Sequence, residues 1–295
     1  MSVMRHRRYR NFVIYPLRNQ HGAQEVSRTL AYVNSIWRIV DNIHRIRTGR
    51  IVLEAIQGTN KRFRFTPYNR ATGEPPNAFA LPDDWQDATP NRRPALSCGG
   101  PNTGRPIHQW SIFGSEFGQV SGTGEGSHVS VAFSAGMWRR RSDWGLDADS
   151  GLLYPLPPGP AEAPAGPGST RDEILLHELL HGFRMASGTL HCSATNMGHY
   201  DTFEEFFAIV VANMYMSQIS GTTDTPLRAH HHGFTVLPFT SLFPDDRQNQ
   251  IWLAQINRQH SSLITRLAME VEAPFNPFRD LYRRDAVPQQ GPVPA

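Results

Sequence analysis

Between Ile174 and Phe183 the chain reads ILLHELLHGF, and no other stretch constrains its fold as tightly. Two histidines stand four residues apart, so on an α-helix they share one face about a turn from each other. Around them lie Ile174, Leu175, Leu176, Leu179, Leu180 and Phe183. A helix that is apolar almost all round is a buried helix. Burying two imidazoles and a carboxylate without partners is costly, which argues against a surface helix with two solvated histidines. A metal ion shared by the imidazoles removes that cost. Thr170 and Glu173 just upstream have the spacing of a capping box, so the helix is expected over 171–187.

The residue types fit zinc. His177 and His181 on one rigid helix are preorganised for an ion that takes imidazole nitrogens at roughly 2.0–2.1 Å. Glu178 lies about 100° round the helix axis, beside the ion rather than on it, where its carboxylate can take a proton from water. A catalytic zinc needs a third protein ligand and an open position. A metzincin would place a histidine at 187, but that residue is Ser187. The remaining candidates are His191, Asp201 and the pair Glu204/Glu205. The glutamates open a second expected helix, 202–218, able to pack antiparallel on the first. Three residues after Glu205 comes the small Ala208, whereas Glu204 is followed at that step by Phe207, which favours Glu205 as ligand. Thr202 with Glu205 and Asp201 with Glu204 also have capping-box spacing, and Asp201 can cap with Glu204 while Glu205 binds metal. For a donor to a developing oxyanion the chain offers Tyr200 and His231, the middle of His230, His231 and His232. Against those roles stand a core aromatic and a solvated turn.

HExxH followed by the glutamates of FEEFFA resembles the gluzincin metallopeptidases, among them clostridial neurotoxin light chains and anthrax lethal factor. The order TGRIVLEAI, GSHVSVAF, LLHELLHGFR, TFEEFFAIVVANMY, LRAHHHGF and PFNPFRDLY more closely resembles the NleD-type effector zinc metalloproteases of bacterial pathogens. The likeness runs over roughly 25–282 and is strongest over 170–216. It implies a Zn²⁺-dependent endopeptidase delivered into host cells, with His177, His181 and Glu205 as ligands and Glu178 as base. Thermolysin-like gluzincins carry an aspartate four residues after the ligand glutamate, and here that position is Ile209. A backbone carbonyl, Asn213 or Asp201 must then orient the histidine.

Elsewhere the pattern is looser. Residues 1–23 read as a basic arm, 24–285 as one metalloprotease-like domain, and 286–295 as a disordered Pro-rich tail. Val26, Leu30, Val33, Trp37, Val40 and Ile43 mark a helix over 24–48 with Gly49 as its C-cap glycine, followed by a short helix at RIVLEAI. RFRFTPY (62–68) alternates like an edge strand, and HVSVAF (128–133) is the clearest strand, internal or an edge able to pair with substrate. Residues 69–127 carry little periodicity, and 155–169 form a stiff irregular loop. A further helix is expected over 246–270 behind the N-cap run PDD. The fold class is therefore α+β and zincin-like, a small mixed sheet with an HExxH helix packed on a ligand-bearing helix.

Composition narrows the partners. Net charge is +3, too small without a concentrated patch to hold nucleic acid, and RHRRYR and WRRR read as solvated surface. GTGEGS (122–127) runs into a strand rather than a helix N-terminus, which excludes a phosphate cradle. No apolar run is long enough to cross a membrane, and Sec export is not expected because the apolar stretch FVIYPL is short and broken by Pro16. Of 29 basic side chains only Lys61 is a lysine, which suits a GC-rich genome or a protein that avoids ubiquitin acceptors in a eukaryotic cytosol. Cys98 and Cys192 make no disulfide framework. The expectation is a monomer exported by a specialised bacterial system into host cytosol, or else cytoplasmic, that cleaves a host signalling protein. The alternative is a non-catalytic effector or binding protein with zinc absent or structural, closed by His191 or Cys192.

Overall fold

Phe12, Phe63 and Val129 lie in one row across three neighbouring strands, and all three are fully buried. This row belongs to the sheet on which the HExxH helix rests. The computed structural model describes residues 2–19, 21–68, 77–83, 126–138, 144–146, 153–155, 168–190, 200, 202–229, 237 and 240–286. Within them the architecture is mixed α+β, with a small mixed sheet and seven α-helices.

The sheet contains β1 (Met4–Arg5), β2 (Phe12–Ile14), β3 (Phe63–Thr66), β4 (Phe79–Pro82) and β5 (Val129–Ala132) in the order β1-β2-β3-β5-β4. The inner pairs β2–β3 and β3–β5 are parallel, and the flanking pairs β1–β2 and β4–β5 are antiparallel. Two expectations change here, and one open alternative closes. The basic N-terminal segment supplies two strands, because Phe12, Val13 and Ile14 are all buried in the sheet. RFRFTPY holds an inner strand rather than an edge, since β3 has strands on both sides. HVSVAF is internal too, which removes β5 as a substrate-pairing edge. Among the described residues the outermost strand on that side is β4, inside the stretch read as irregular, and it ends in Pro82 as an edge strand can. A separate antiparallel pair joins β6 (Trp144–Leu146) to β7 (Leu153–Pro155).

Parallel β2 and β3 are joined through α1 (Val26–Arg45) and α2 (Arg47–Gly58). The core stripe of α1 is Val33, Ile36, Ile39, Val40 and Ile43. Val26 and Leu30, read as part of the stripe, are 49% and 47% exposed. In their place Thr29 is buried, donating to the Glu25 carbonyl and accepting from the Leu17 N–H. The helix stops at Ile46, whose extended backbone separates it from α2. Gly49 is therefore not a C-cap. It lies in α2, where a Cβ would stand 2.3 Å from the Ile43 carbonyl oxygen, so only glycine lets the two helices meet at this corner.

The HExxH helix is α3 (Arg171–Ala186), and α4 (Phe203–Ser220) packs directly on it. Both match their expected spans within two residues. Gly182 of α3 sits where a Cβ would meet Phe63 at 2.6 Å and Val129 at 3.2 Å, so the helix rests on β3 and β5 without an intervening side chain. Nearly every residue of α4 is buried, and α2 packs on it as well as α3. The expected helix over 246–270 is two, α5 (Arg247–Gln259) and α6 (Ser261–Glu270), broken at His260. Asp246 caps α5 by accepting from the Asn249 N–H. A last helix, α7 (Pro277–Ala286), occupies ground read without one. Among the described residues no helix is long and apolar enough to cross a membrane.

Candidate metal centre

The two central turns of α3 present His177 and His181 to the first turn of α4. Their Nε2 atoms are 3.1 Å apart. The Glu205 carboxylate bridges them, Oε2 lying 3.2 Å from His177 Nε2 and Oε1 3.2 Å from His181 Nε2. Three atoms bound about 2.1 Å from a shared tetrahedral ion lie roughly 3.4 Å from one another, so the observed separations fit a zinc-sized cation. The donor set fits as well, two imidazole nitrogens and one carboxylate. All three side chains are largely withdrawn from water.

The electrostatics favour a cation here. Burial pushes His177 well below the ordinary imidazole range, even though Glu205 pulls the other way. Burial acts in the same sense on His181, but the Glu205, Glu178 and Glu204 carboxylates override it and push that imidazole up. Positive charge between the helices is thus stabilised by converging carboxylates. Glu178, directly after His177, is buried to 8% exposure and its charge reaches His181.

The choice between the adjacent glutamates is resolved by their partners. Glu205 faces the histidines, whereas Glu204 is paired with Arg184 of α3, Nη2 to Oε1 at 2.8 Å. Thr202 is the N-cap of α4 and its hydroxyl accepts from the Glu205 N–H at 3.3 Å. Glu205 thus serves two partners, its backbone N–H the cap and its carboxylate the histidine pair. Asp201 and His191 lie outside the described residues, as do Cys98, Cys192 and His230–His232, and with them His231.

Tyr200 is buried with its ring edge-on to Phe206 at 5.2 Å, and Phe206 in turn meets Trp252 and Phe243. Burial raises its hydroxyl pKa. Asn213, considered as an orienting partner for a histidine, instead anchors the chain at Arg228. Its Nδ2 donates to the Arg228 carbonyl and its Oδ1 accepts from the Arg228 N–H. At the start of α3 the capping box takes another form. The Thr170 hydroxyl donates to the Glu173 carboxylate at 3.3 Å, and the Gly168 N–H donates to that carboxylate at 2.8 Å. Burial pushes Glu173 up to about 7 against the opposing Arg228 charge.

Sequence reasoning overlooks Arg184 and His260. The signal for Arg184 is a cation three residues after His181 in an otherwise apolar helix, together with a glutamate doublet of which the site uses one member. The chain matches no family model, no curated protein and no solved structure in the searches made.

Proposed function

We propose that this protein is a zinc-dependent endopeptidase with a zincin-like arrangement, its HExxH helix α3 resting on the mixed sheet and packed against the glutamate-bearing α4. The observation that carries the reading is the Glu205 carboxylate bridging the Nε2 atoms of His177 and His181, 3.2 Å from each. His177, His181 and Glu205 would hold the ion. Zinc, when bound, supplies Lewis-acid polarisation of a scissile carbonyl and a lowered pKa for water.

The chain's own residues account for the proton traffic. The Glu178 carboxylate accepts a proton from the attacking water and delivers it to the leaving amine nitrogen. Its buried position strengthens its electrostatic coupling to the site, because the local dielectric is low. An extended substrate has a place to add at the outer side of β4, which among the described residues has no strand beyond it. The resemblance to effector zinc metalloproteases extends the proposal to a host signalling protein as substrate and to delivery into host cytosol.

The test is metal analysis of purified protein beside cleavage mapping in host lysate. The expected result is about one zinc per chain in both wild type and Glu178→Ala, with cleavage only in wild type. His177→Ala should lose metal and cleavage together. A fully active Glu178→Ala variant, or a wild type that takes up no zinc, overturns the reading.

A further inference from the structure

Arg184 is fully buried, and placing a guanidinium away from water costs several kcal/mol unless its donors are met. Its donors reach α4, the end of α5 and the break that follows it. Nε lies 3.1 and 3.2 Å from the two Glu204 oxygens, and Nη2 lies 2.8 Å from Oε1. Nη1 donates to Gln259 Oε1 at 2.5 Å and to His260 Nε2 at 2.9 Å. The Thr189 hydroxyl, beyond the end of α3, is 2.9 Å from the same imidazole nitrogen. Phe203 and Phe207 bracket the guanidinium at 5.4 and 5.6 Å from their ring centroids.

The placement of this cluster bears on the metal centre. Seven residues separate Arg184 from His177 and three separate it from His181, so all three project from one side of α3. Across from them stand two consecutive carboxylates in the first turn of α4, Glu204 and Glu205. Along α3 there are thus two kinds of group able to hold a carboxylate, a histidine pair and a guanidinium. Either glutamate is chemically competent for either place. Glu204 is near enough for its charge to act on His181. A guanidinium binds a carboxylate through charge-assisted hydrogen bonds, about twice as strong as neutral ones and favoured in a planar, forked geometry.

We propose that Arg184 is a positioning residue of the metal centre: by holding Glu204, it takes one of two adjacent carboxylates out of competition for the ion and leaves Glu205 alone to span His177 and His181. The inference rests on the zinc reading above. Neither Arg184 nor Glu204 belongs to the group that would hold the ion. Their pairing keeps a surplus negative charge, and a surplus positive one, away from it.

The test is a double-mutant cycle on the full chain, read by zinc affinity in chelator competition and by the Tm of the zinc-free protein. In Glu204→Gln the guanidinium retains its charge without a carboxylate partner and draws on Glu205, so zinc affinity should fall about 10–100-fold, the range for residues that orient metal ligands. In Arg184→Met the Glu204 carboxylate is released beside the site, and affinity should fall over a similar range. The double variant Arg184→Met/Glu204→Gln carries neither misplaced charge and should recover to within about threefold of wild type, a coupling that additive effects cannot give. Arg184→Gln, which keeps hydrogen-bond donors without the charge, replaces Arg184→Met in the cycle if the latter fails to fold by circular dichroism.

Singles that lower only the Tm of zinc-free protein, with zinc affinity unchanged, overturn the proposal, as do losses that add in the double variant. A wild type that binds no zinc overturns the metal reading itself, which is a different result.

Discussion

The Nε2 atoms of His177 and His181 stand 3.1 Å apart with the Glu205 carboxylate against both. A ligand that binds only the folded chain stabilises it by mass action, about 2.7 kcal/mol at a hundredfold excess over Kd. For a chain of this size that corresponds to roughly 5 °C in Tm. Scanning calorimetry of chelator-stripped protein, repeated with zinc restored, should show that rise, and Glu205→Ala should abolish it. A Tm indifferent to zinc in the wild type would remove the ion from this site.

Gly182 sets how closely α3 lies on the sheet. A methyl there would meet Phe63 at 2.6 Å, and ring and helix must move apart to admit it. Overpacking of this kind costs about 1–3 kcal/mol. Gly182→Ala should lower stability by that amount in denaturant melts, despite the better helix propensity of alanine. A neutral or stabilising result would mean that α3 does not rest directly on β3 and β5.

Tyr200 can be tested by removing one atom. Its ring lies in an aromatic cluster with Phe206, and its hydroxyl is a candidate oxyanion donor. Tyr200→Phe is expected to keep the cleavage rate within about threefold, whereas Tyr200→Ala should cost about 3–5 kcal/mol of stability as a large buried ring is lost. A fall in kcat of about a hundredfold in the phenylalanine variant, with Tm unchanged, would assign the hydroxyl to catalysis.

His260 gives stability a pH dependence. Burial and the Arg184 charge push its imidazole down from 6.5 to about 3. Below pH 6.5 the unfolded chain takes up a proton that the folded one refuses. The stabilisation is therefore complete above that pH and is lost progressively as pH falls toward 3. The slope for one such proton approaches 1.4 kcal/mol per pH unit. Denaturant melts at pH 7 and pH 5 should differ by roughly 2 kcal/mol more in the wild type than in His260→Gln, which keeps an acceptor for Arg184. Equal differences in both would show that the imidazole titrates normally.

The helices of the site are legible because their patterns are local. The apolar ring around HELLH and the Thr202 cap lie within the segments they describe, and Ala208 against Phe207 already separates Glu205 from Glu204. What escapes the sequence is set by distant partners. The break between α5 and α6 carries no proline or glycine. It occurs where His260 is drawn to Arg184 and Thr189, residues remote in the chain. Gly49 has the look of a helix end and instead serves a close approach to Ile43. Strand β2 is too short for alternation to register and lies in a basic segment, and β4 lies in a proline- and glycine-rich one.

The parallel pairing of Phe12 with Phe63 and of Phe63 with Val129 also governs how the molecule is made. Such non-local contacts must meet the entropy of closing long loops before they contribute any stability, so folding slows as contact order rises. The platform for α3 is unfinished until Val129–Ala132 has joined β3, while the histidines and Glu205 lie close together further along the chain. These three side chains can gather early. A metal ion present during folding would then act on the rate as well as the end point, drawing α3 and α4 together while the sheet beneath them is still being assembled.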